Sequence, residues 1–391
     1  MAVDLDQAKQ LLARLEPWLA ARIPRSQGLR IESPELPADG RSSTTILFTA
    51  HWTEADAARR GDWVLRVQPR GNQIFMHPDV LRDARILAAL EGGPVPVPKI
   101  LWTESDPSVL GERFFVMARI DGRPVQGRPS NQIAGWLPQA SPALRRRIYD
   151  NGLAALAAVH RVDWQRGHRF LQEDGLGVDL AGHLERVARW YRWCTRGRPY
   201  AMLDAALDYL IAHCKRVDPG PTVLLWGDAR MGNLMYTETG EVQAVLDWEV
   251  AGIGPANVDL GYWLMNEDFH SEANGITRLE GVPANAQQLT RYEDAAGRSV
   301  RDIDYFIMLG AWWMGATMIR QADIRVAEGR LAADNGLATG NTFTQMIART
   351  LGLPVPELSA DWTAHRRPMK GVPVVRPQDG HDGNSAAVPN V

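Results

Sequence analysis

Apolar residues recur at helical spacing near the start of the chain. They are Leu5, Ala8, Leu11, Leu12, Leu15 and Leu19, and polar residues lie between them. Intervals of three and four residues place side chains on one face of an α-helix. The pattern predicts an amphipathic helix over residues 5–23 that packs on the body of the protein.

The chain up to about residue 120 has the pattern of short strands around a single helix. Four runs rich in β-branched and aromatic residues are separated by polar stretches that contain glycine or proline, which is typical of strands joined by loops. A helix is expected from about Pro78 to Leu90. The predicted strands are residues 44–52, 63–67, 100–102 and 113–120. Together these elements predict a small, mostly β N-terminal lobe.

Helical patterns dominate after residue 122. Ser141 and Pro142 form a favourable helix start, and the apolar residues that follow keep to one face. Further helices are expected over residues 184–194, 202–213 and 303–320, with a non-helical block at 222–249 between them. Beyond about Arg366 the chain is rich in Pro, Gly, Asp and Asn without apolar periodicity, which predicts a disordered tail.

The composition excludes several classes of protein. The 391 residues hold 43 basic and 46 acidic side chains, so no basic footprint for a nucleic acid or an anionic membrane is present. The two cysteines, Cys194 and Cys214, lack the spacing of a disulfide framework or a zinc site. Neither a signal peptide nor a stretch of the ~20 apolar residues needed to cross a bilayer is evident. A cytoplasmic protein is expected.

Three oxygen-bearing side chains in the non-helical block suggest chemistry. Asp228 and Asn233 follow one apolar run, and Asp247 ends the next. Side chains at strand ends can leave the core and face a cleft, so these three could converge. Carboxylate and amide oxygens suit Mg²⁺, which completes its shell with waters and phosphates. Phosphoryl transfer needs such an ion, and also a carboxylate that orients the attacking hydroxyl.

The sequence Trp226-Gly227-Asp228, followed by Asn233, resembles the catalytic loop of the aminoglycoside-phosphotransferase family, which usually reads His-Gly-Asp, four residues, Asn. The Leu-Asp-Trp-Glu run at residues 246–249 resembles the metal-binding segment of that family. These motifs most resemble the branch that contains the kinase-like domain fused to acyl-CoA dehydrogenases in animals. The resemblance covers roughly residues 36–263. Trp226 departs from the pattern, at a position where the usual histidine is a scaffold residue.

This resemblance implies an α+β, two-lobed protein-kinase-like fold. Residues 1–117 would form the nucleotide-binding N-lobe with its N-terminal helix, residues 118–365 the helical C-lobe with the catalytic and metal-binding loops, and residues 366–391 the tail. Asp228 would be the catalytic carboxylate, and Asn233 and Asp247 would hold the metal. Asp259 matches a family aspartate with a supporting structural role. His160, on the apolar face of its helix, is expected to be a core histidine with satisfied hydrogen bonds.

The nucleotide contacts follow from the same resemblance. A loop at residues 39–43 resembles the phosphate-covering loop, although it has a single glycine. An arginine stands where kinases have the strand lysine, with an aspartate on the next helix as its expected partner, and residues 117–120 resemble the interlobe hinge that reads adenine. The implied contacts are Gly40, Ser42, Ser43, Arg66, Asp83, Met117, Ala118 and Ile120. The pattern alone also fits a surface arginine and an unrelated helix aspartate.

The implied reaction is transfer of the γ-phosphoryl group from ATP, with Mg²⁺, to a hydroxyl group of a small molecule. A hydroxyacyl thioester or related catabolic intermediate is one acceptor, and an aminoglycoside or similar antibiotic is the other. An alternative hypothesis, from a different class of function, is a nucleotide-binding pseudokinase. Trp226 and the missing strand lysine favour it. The sequence does not decide whether the phosphoryl donor is ATP or GTP, nor does it decide the oligomeric state.

Overall fold

The N-terminal lobe is a five-stranded sheet with two helices. The computed structural model describes residues 4–32, 34–37, 44–71, 73–172 and 175–366. In this lobe the elements are α1 (Leu5–Ala20), β1 (Ser26–Ile31), β2 (Thr44–Glu54), β3 (Ala57–Val67), α2 (Val80–Leu90), β4 (Ile100–Glu104) and β5 (Phe114–Ala118). The strand order is β1-β2-β3-β5-β4, and every pair is antiparallel.

The first helix begins with a capping box. The Asp4 carboxylate accepts from the Gln7 N–H at 2.8 Å, and the Gln7 side chain accepts from the Asp4 N–H, so two otherwise unpaired donors are satisfied. The apolar face predicted from the sequence is buried against the sheet, where the Trp18 and Phe114 rings lie 4.8 Å apart. The helix ends at Ala20, three residues before the predicted end, because the chain turns there to begin β1.

A tight hairpin fixes the position of Arg66 on the sheet. Strands β2 and β3 pair from Thr44 with Val67 to Glu54 with Ala57. The two turn residues, Ala55 and Asp56, both have positive φ, which is the geometry of a two-residue turn that matches the twist of the strands. The register of the whole ladder therefore follows from this turn.

The C-terminal lobe is mainly helical, and its short strands form a two-stranded and a three-stranded sheet. Its elements are β6 (Arg123–Pro124), α3 (Pro142–His160), α4 (Trp164–Gly167), α5 (Leu180–Thr195), α6 (Ala201–His213), β7 (Thr222–Leu225), β8 (Leu234–Tyr236), β9 (Val242–Val245), β10 (Gly252–Pro255), α7 (Ala256–His270), α8 (Asn285–Ala296), α9 (Ile303–Ala327), α10 (Thr342–Leu351) and α11 (Ala360–Arg366). Single turns of 3₁₀ helix occur at Leu137–Gln139, Arg169–Gln172, Met231–Asn233 and Glu272–Asn274. The α+β, two-lobed kinase-like fold expected from the sequence is confirmed.

Helices α7 and α9 form the centre of this lobe. Gly261 allows their close approach, since a Cβ atom there would lie 2.4 Å from Phe306. Helix α9 continues to Ala327, whereas the prediction ended it at Arg320. Arg320 does not end the helix because its side chain is buried and donates to the Gln73 carbonyl at 2.8 Å. Within the described residues, no helix is both long and apolar enough to cross a membrane.

Hydrogen bonds between the lobes fix the walls of the cleft. The Arg82 guanidinium, on α2, donates to the carbonyl oxygens of Glu249 and Ala251 in the other lobe. The Val245 N–H donates to the Pro96 carbonyl at 2.8 Å. Helix α2 is therefore bonded directly to the segment that carries Asp247.

Candidate active site

A cavity of about 750 Å³ lies between the lobes, and most of the predicted site residues line it. Those in its wall are Arg66, Asp83, Met117, Ala118, Ile120, Asn233 and Asp247. Asp228 lies behind this wall, hydrogen-bonded to residues that form it. The predicted phosphate contacts Gly40, Ser42 and Ser43 lie outside the described residues, while Pro37 and Thr45, on either side of them, line the cavity.

The turn before Asp228 is held by a buried carboxylate. Asp259 accepts from the Trp226 N–H at 2.7 Å and from the Gly227 N–H at 2.9 Å. Its Oδ2 also lies 3.2 Å from the His160 Nε2, and the other ring nitrogen of His160 lies 2.6 Å from the Tyr292 hydroxyl. Both polar atoms of His160 thus have partners, as the sequence analysis expected.

Gly227 is required at this turn for two reasons. Its φ of +88° is in the left-handed region, and an added Cβ would lie 2.4 Å from the Val250 carbonyl oxygen. Trp226, which precedes it, is fully buried and donates from Nε1 to the Leu246 carbonyl at 2.8 Å. The indole therefore ties the Asp228 turn to the residue before Asp247.

Three side chains orient the Asp228 carboxylate. The Tyr262 hydroxyl donates to Oδ1 at 2.7 Å, and the Asn233 amide donates to Oδ2 at 2.5 Å and to the Asp228 carbonyl at 3.0 Å. The Arg230 Nε lies 3.2 and 3.0 Å from the two carboxylate oxygens. The side chain keeps 19% exposure, so the carboxylate is fixed but accessible.

Arg230 and Tyr262 are site residues that the sequence analysis gave no role. The terminal nitrogens of Arg230 make no hydrogen bond within the described residues, and Gly127 and Gly232 leave space beside them. An added Cβ would lie 3.4 Å from Nη1 at Gly127 and 2.6 Å at Gly232. The position of Arg230, two residues after Asp228, is a signal available in the sequence. No local signal points to Tyr262, which reaches the site through the packing of α7.

Asp247 and Asn233 both line the cavity and present oxygen atoms there. Asp247 has a φ of +62°, and its buried Oδ1 has no hydrogen-bond partner. Burial raises the pKa of Asp247, although the Arg66 charge opposes this shift. Asn233 donates to Asp228 through its amide nitrogen, which leaves its Oδ1 as a ligand. An orphaned carboxylate oxygen beside an amide oxygen fits Mg²⁺, which takes its remaining ligands from waters and phosphates.

Arg66 and Asp83 interact by charge and not by direct contact. Burial raises the pKa of Asp83 to about 6, and the charge of Arg66 is the largest opposing influence. Within the described residues no ion pair shorter than 4.0 Å joins the two, and the buried Arg66 Nε lacks a hydrogen-bond partner. The guanidinium is thus in the cavity wall with donors that remain unused.

The chain between the lobes offers backbone groups to the cavity. The Ala118 N–H donates to the Lys99 carbonyl at 2.9 Å, so only the carbonyl oxygen of Ala118 is left for a ligand. The Ile120 N–H forms no hydrogen bond among the described residues. Met117 lines the cavity beside them.

The far end of the cavity is largely apolar and has no carboxylate among the described residues, although His270 and Arg366 also line it. Its wall includes Phe269, Met314, Met318, Phe343 and Trp362. In the described part of the wall the only carboxylates are those of Asp83 and Asp247. Helices α10 and α11 were not predicted, so this wall is new information from the structure.

The sequence of this chain is similar to sequences of known proteins. The model of the phosphotransferase enzyme family matches residues 35–303. Acyl-CoA dehydrogenase family member 11 of Homo sapiens is 30% identical over 233 residues, which are 56% of this chain and 28% of that protein. The chain therefore spans under a third of the length of that relative.

Solved structures show the same fold. A crystal structure from Ralstonia eutropha, described as a candidate aminoglycoside phosphotransferase, has a TM-score of 0.60 and 25% identity, and covers 86% of this chain and 98% of that one. A thermostable aminoglycoside phosphotransferase mutant, in a ternary complex with AMP-PNP and hygromycin B, has a TM-score of 0.53 and 14% identity, with 86% and 99% covered. The second likeness concerns the fold alone.

The raised pKa of Asp83 predicts a pH-dependent stability difference between the parent protein and Asp83→Asn. At pH values between the ordinary pKa of 3.8 and the raised pKa of about 6, Asp83 keeps its proton in the folded protein but loses it in the unfolded chain. The parent therefore loses stability as the pH rises through this range. Above pH 6 the variant should be more stable by about 3 kcal/mol, and below pH 4 the difference should vanish. Urea unfolding at several pH values measures this. Asp334→Asn, an exposed site, controls for net charge, and a pH-independent difference at Asp83 would contradict the burial argument.

Proposed function

The chain belongs to the phosphotransferase enzyme family, and we propose that it transfers the γ-phosphoryl group of ATP, with Mg²⁺, to a hydroxyl group of a small molecule. The observation that carries the proposal is that Asn233 and Asp247 line one cavity, while the Asn233 amide also holds the Asp228 carboxylate at its wall. A fixed, accessible carboxylate lies there beside two oxygen ligands that suit the metal. This is the arrangement that phosphoryl transfer requires.

In this proposal Asp228 accepts the proton of the acceptor hydroxyl. Its three hydrogen-bond donors, Tyr262, Arg230 and Asn233, hold the carboxylate in one orientation, so the attacking oxygen would be aligned before the reaction. The unused terminal nitrogens of Arg230 point to a role in binding phosphoryl oxygens, for which the planar guanidinium is well suited.

Asn233 Oδ1 and the Asp247 carboxylate would hold the metal ion. Bound there, Mg²⁺ would neutralise charge on the phosphate oxygens. Because the protein supplies few ligands, the affinity for the ion would depend on the nucleotide. The left-handed backbone at Asp247 turns its carboxylate out of the strand direction and towards the cavity, which is a conformation that aspartate tolerates better than most residues.

The nucleotide would lie against the N-lobe. The Ile120 N–H and the Ala118 carbonyl would read the adenine edge, and Met117 would line the pocket. Arg66, with its unused donors, would bind phosphate beside Asp83, and Gly40, Ser42 and Ser43 remain the predicted loop contacts. We keep the division into a nucleotide-binding lobe at residues 1–117, a catalytic lobe at 118–365 and a tail as part of this proposal.

A nucleotide-binding pseudokinase is the alternative of another class. Trp226 and the arginine at the position of the strand lysine favour it. The buried indole nevertheless makes a scaffold bond to the Leu246 carbonyl, so replacement of the usual histidine leaves the Asp228 turn supported. A guanidinium at Arg66 can bind a phosphate as the usual lysine would, with two parallel donors. We therefore favour an active enzyme.

For the acceptor we favour a hydroxyacyl thioester over an aminoglycoside. A polycationic antibiotic needs carboxylates to neutralise its ammonium groups, and the described wall has none at the acceptor end. Asp268 and Glu272 are engaged instead with Arg278. The apolar side chains there suit an acyl chain. The likeness to acyl-CoA dehydrogenase family members is consistent with this choice.

We expect purified protein to consume ATP faster with hydroxylated acyl thioesters than with kanamycin-like aminoglycosides. The reason is the apolar, carboxylate-free wall described above. A coupled assay of ADP release, with mass analysis of the acceptor, measures both the rate and the phosphorylated product. Faster ATP consumption with the aminoglycosides would reject a hydroxyacyl thioester as the acceptor and favour an antibiotic.

Asp228→Asn is expected to lower kcat by ~10²–10⁴, because it removes the general base. Nucleotide affinity should stay near that of the parent, since Asp228 is not among the proposed nucleotide or metal contacts. Single-turnover rates and calorimetric titration separate the two effects. Equal turnover in the variant and the parent would exclude Asp228 from the mechanism, and absence of turnover in both would favour the pseudokinase.

Asp247→Ala should abolish Mg²⁺-dependent binding of ATP, and Asp247→Asn, which keeps the shape, should weaken it by at least ~10-fold. The variants remove a carboxylate that lines the cavity and whose buried Oδ1 has no hydrogen-bond partner among the described residues. Calorimetry with and without Mg²⁺ tests this, and ATP binding without the metal should change little. Asp294→Asn, on the exposed face of α8, is the control. Unchanged affinity in the Asp247 variants would place the metal elsewhere.

A further inference from the structure

Arg366, at the end of α11, is a partly buried cation in the cavity wall. It lines the acceptor end of the cavity, and burial lowers the pKa of its guanidinium. Within the described residues it forms no ion pair or hydrogen bond. Its recorded contact is with the Phe269 ring, 5.9 Å from the ring centroid. A desolvated charge is costly unless an opposite charge compensates it, so this position favours an anion.

His270, at the end of α7, faces the same part of the cavity. It is 9% exposed, and its buried Nδ1 has no hydrogen-bond partner. Burial, assisted by the charges of Arg230 and Arg366, lowers its pKa to about 3. The imidazole is therefore neutral at physiological pH and carries one N–H that it could donate to a ligand.

The other wall residues around Arg366 differ from it in charge pairing and polarity. Arg230 also lines the cavity, but its Nε is already paired with the Asp228 carboxylate. The aromatic rings of Phe343 and Trp362 lie in the same wall. An apolar surround excludes water and strengthens an interaction between an anion and a guanidinium.

Helix α11 is anchored so that Arg366 has a defined position. The Trp362 indole, which is 1% exposed, donates to the Thr342 hydroxyl at 3.1 Å. At the helix start the Asp361 carboxylate accepts from the Gly336 N–H at 2.9 Å. Thr342 in turn donates to the Asn274 side chain at 2.6 Å, which connects α10 to the 3₁₀ turn that follows α7. Helix α11, which carries Arg366, is thus held by one connected group of contacts.

We propose that the acceptor carries a second, anionic group, a carboxylate or a phosphate, which binds at Arg366 and His270 while its hydroxyl lies at Asp228. This inference rests on the proposed phosphotransferase function and makes α11 a determinant of substrate choice. The anion could be a carboxylate on the acceptor itself, or a phosphate of the carrier to which an acyl acceptor is joined. Both have planar or tetrahedral oxygen groups that a guanidinium binds with two donors.

The experiment compares matched charged and neutral probes. In the first pair, 3-hydroxybutanoate is the charged probe and 3-hydroxybutanamide the neutral one. In the second pair, 3-hydroxybutyryl-CoA is the charged probe, and the thioester of the same acid with N-acetylcysteamine is the neutral one. Binding is followed by ligand-observed NMR, which does not depend on turnover, and ATP consumption is measured in parallel. The proteins are the parent, Arg366→Met, Arg366→Lys, and Arg349→Met as a control on the exposed face of α10. Thermal unfolding verifies that each variant is folded.

The parent should bind the charged member of at least one pair more tightly than the neutral member. Arg366→Met should reduce that preference by ~10-fold or more, with Arg366→Lys intermediate and Arg349→Met unchanged. Preference within the first pair identifies a carboxylate, and preference only within the second identifies a carrier phosphate. Equal binding within both pairs, or a preference that survives Arg366→Met, overturns the proposal. Selective binding without ATP consumption for any probe would count against the proposed reaction and leave the anion site standing.

Discussion

The buried carboxylate of Asp259 is the constraint on which the geometry of the site depends. It accepts two successive backbone N–H groups, from Trp226 and Gly227, where the chain turns too tightly for them to find partners in a strand. Buried amide groups without partners are costly, so this carboxylate stabilises a turn that would otherwise be unfavourable. The position of Asp228, the next residue, follows from that turn.

Charge is distributed so that each carboxylate near the cavity is opposed by a guanidinium. Arg230 contacts Asp228 directly, whereas Arg66 acts on both Asp83 and Asp247 from a distance. The contact explains why Asp228 has a fixed orientation. The longer separation leaves Arg66 and Asp247 with unused hydrogen-bonding atoms, and such atoms are available to a ligand. The site is therefore rigid around the proposed base and open around the proposed metal.

Much of the fold was predictable from the sequence, because alternating and helical patterns reflect one buried face. The proximity of Asn233 and Asp247 also followed from their positions at strand ends. Helix α7 was missed because it is buried on almost all sides and has no polar face to set the period. The contribution of Arg366 depends on long-range packing of α11, for which no local pattern exists.

Trp226 has a consequence for how this chain could change over evolutionary time. The indole fills a closed space beside Trp248 and also forms the bond to the Leu246 carbonyl, so volume and hydrogen bonding are combined in one side chain. A histidine introduced alone would leave a void and would have to reach the same carbonyl from a smaller ring. A change from tryptophan to histidine at this position is therefore expected to destabilise the fold unless a neighbouring side chain is replaced by a larger one.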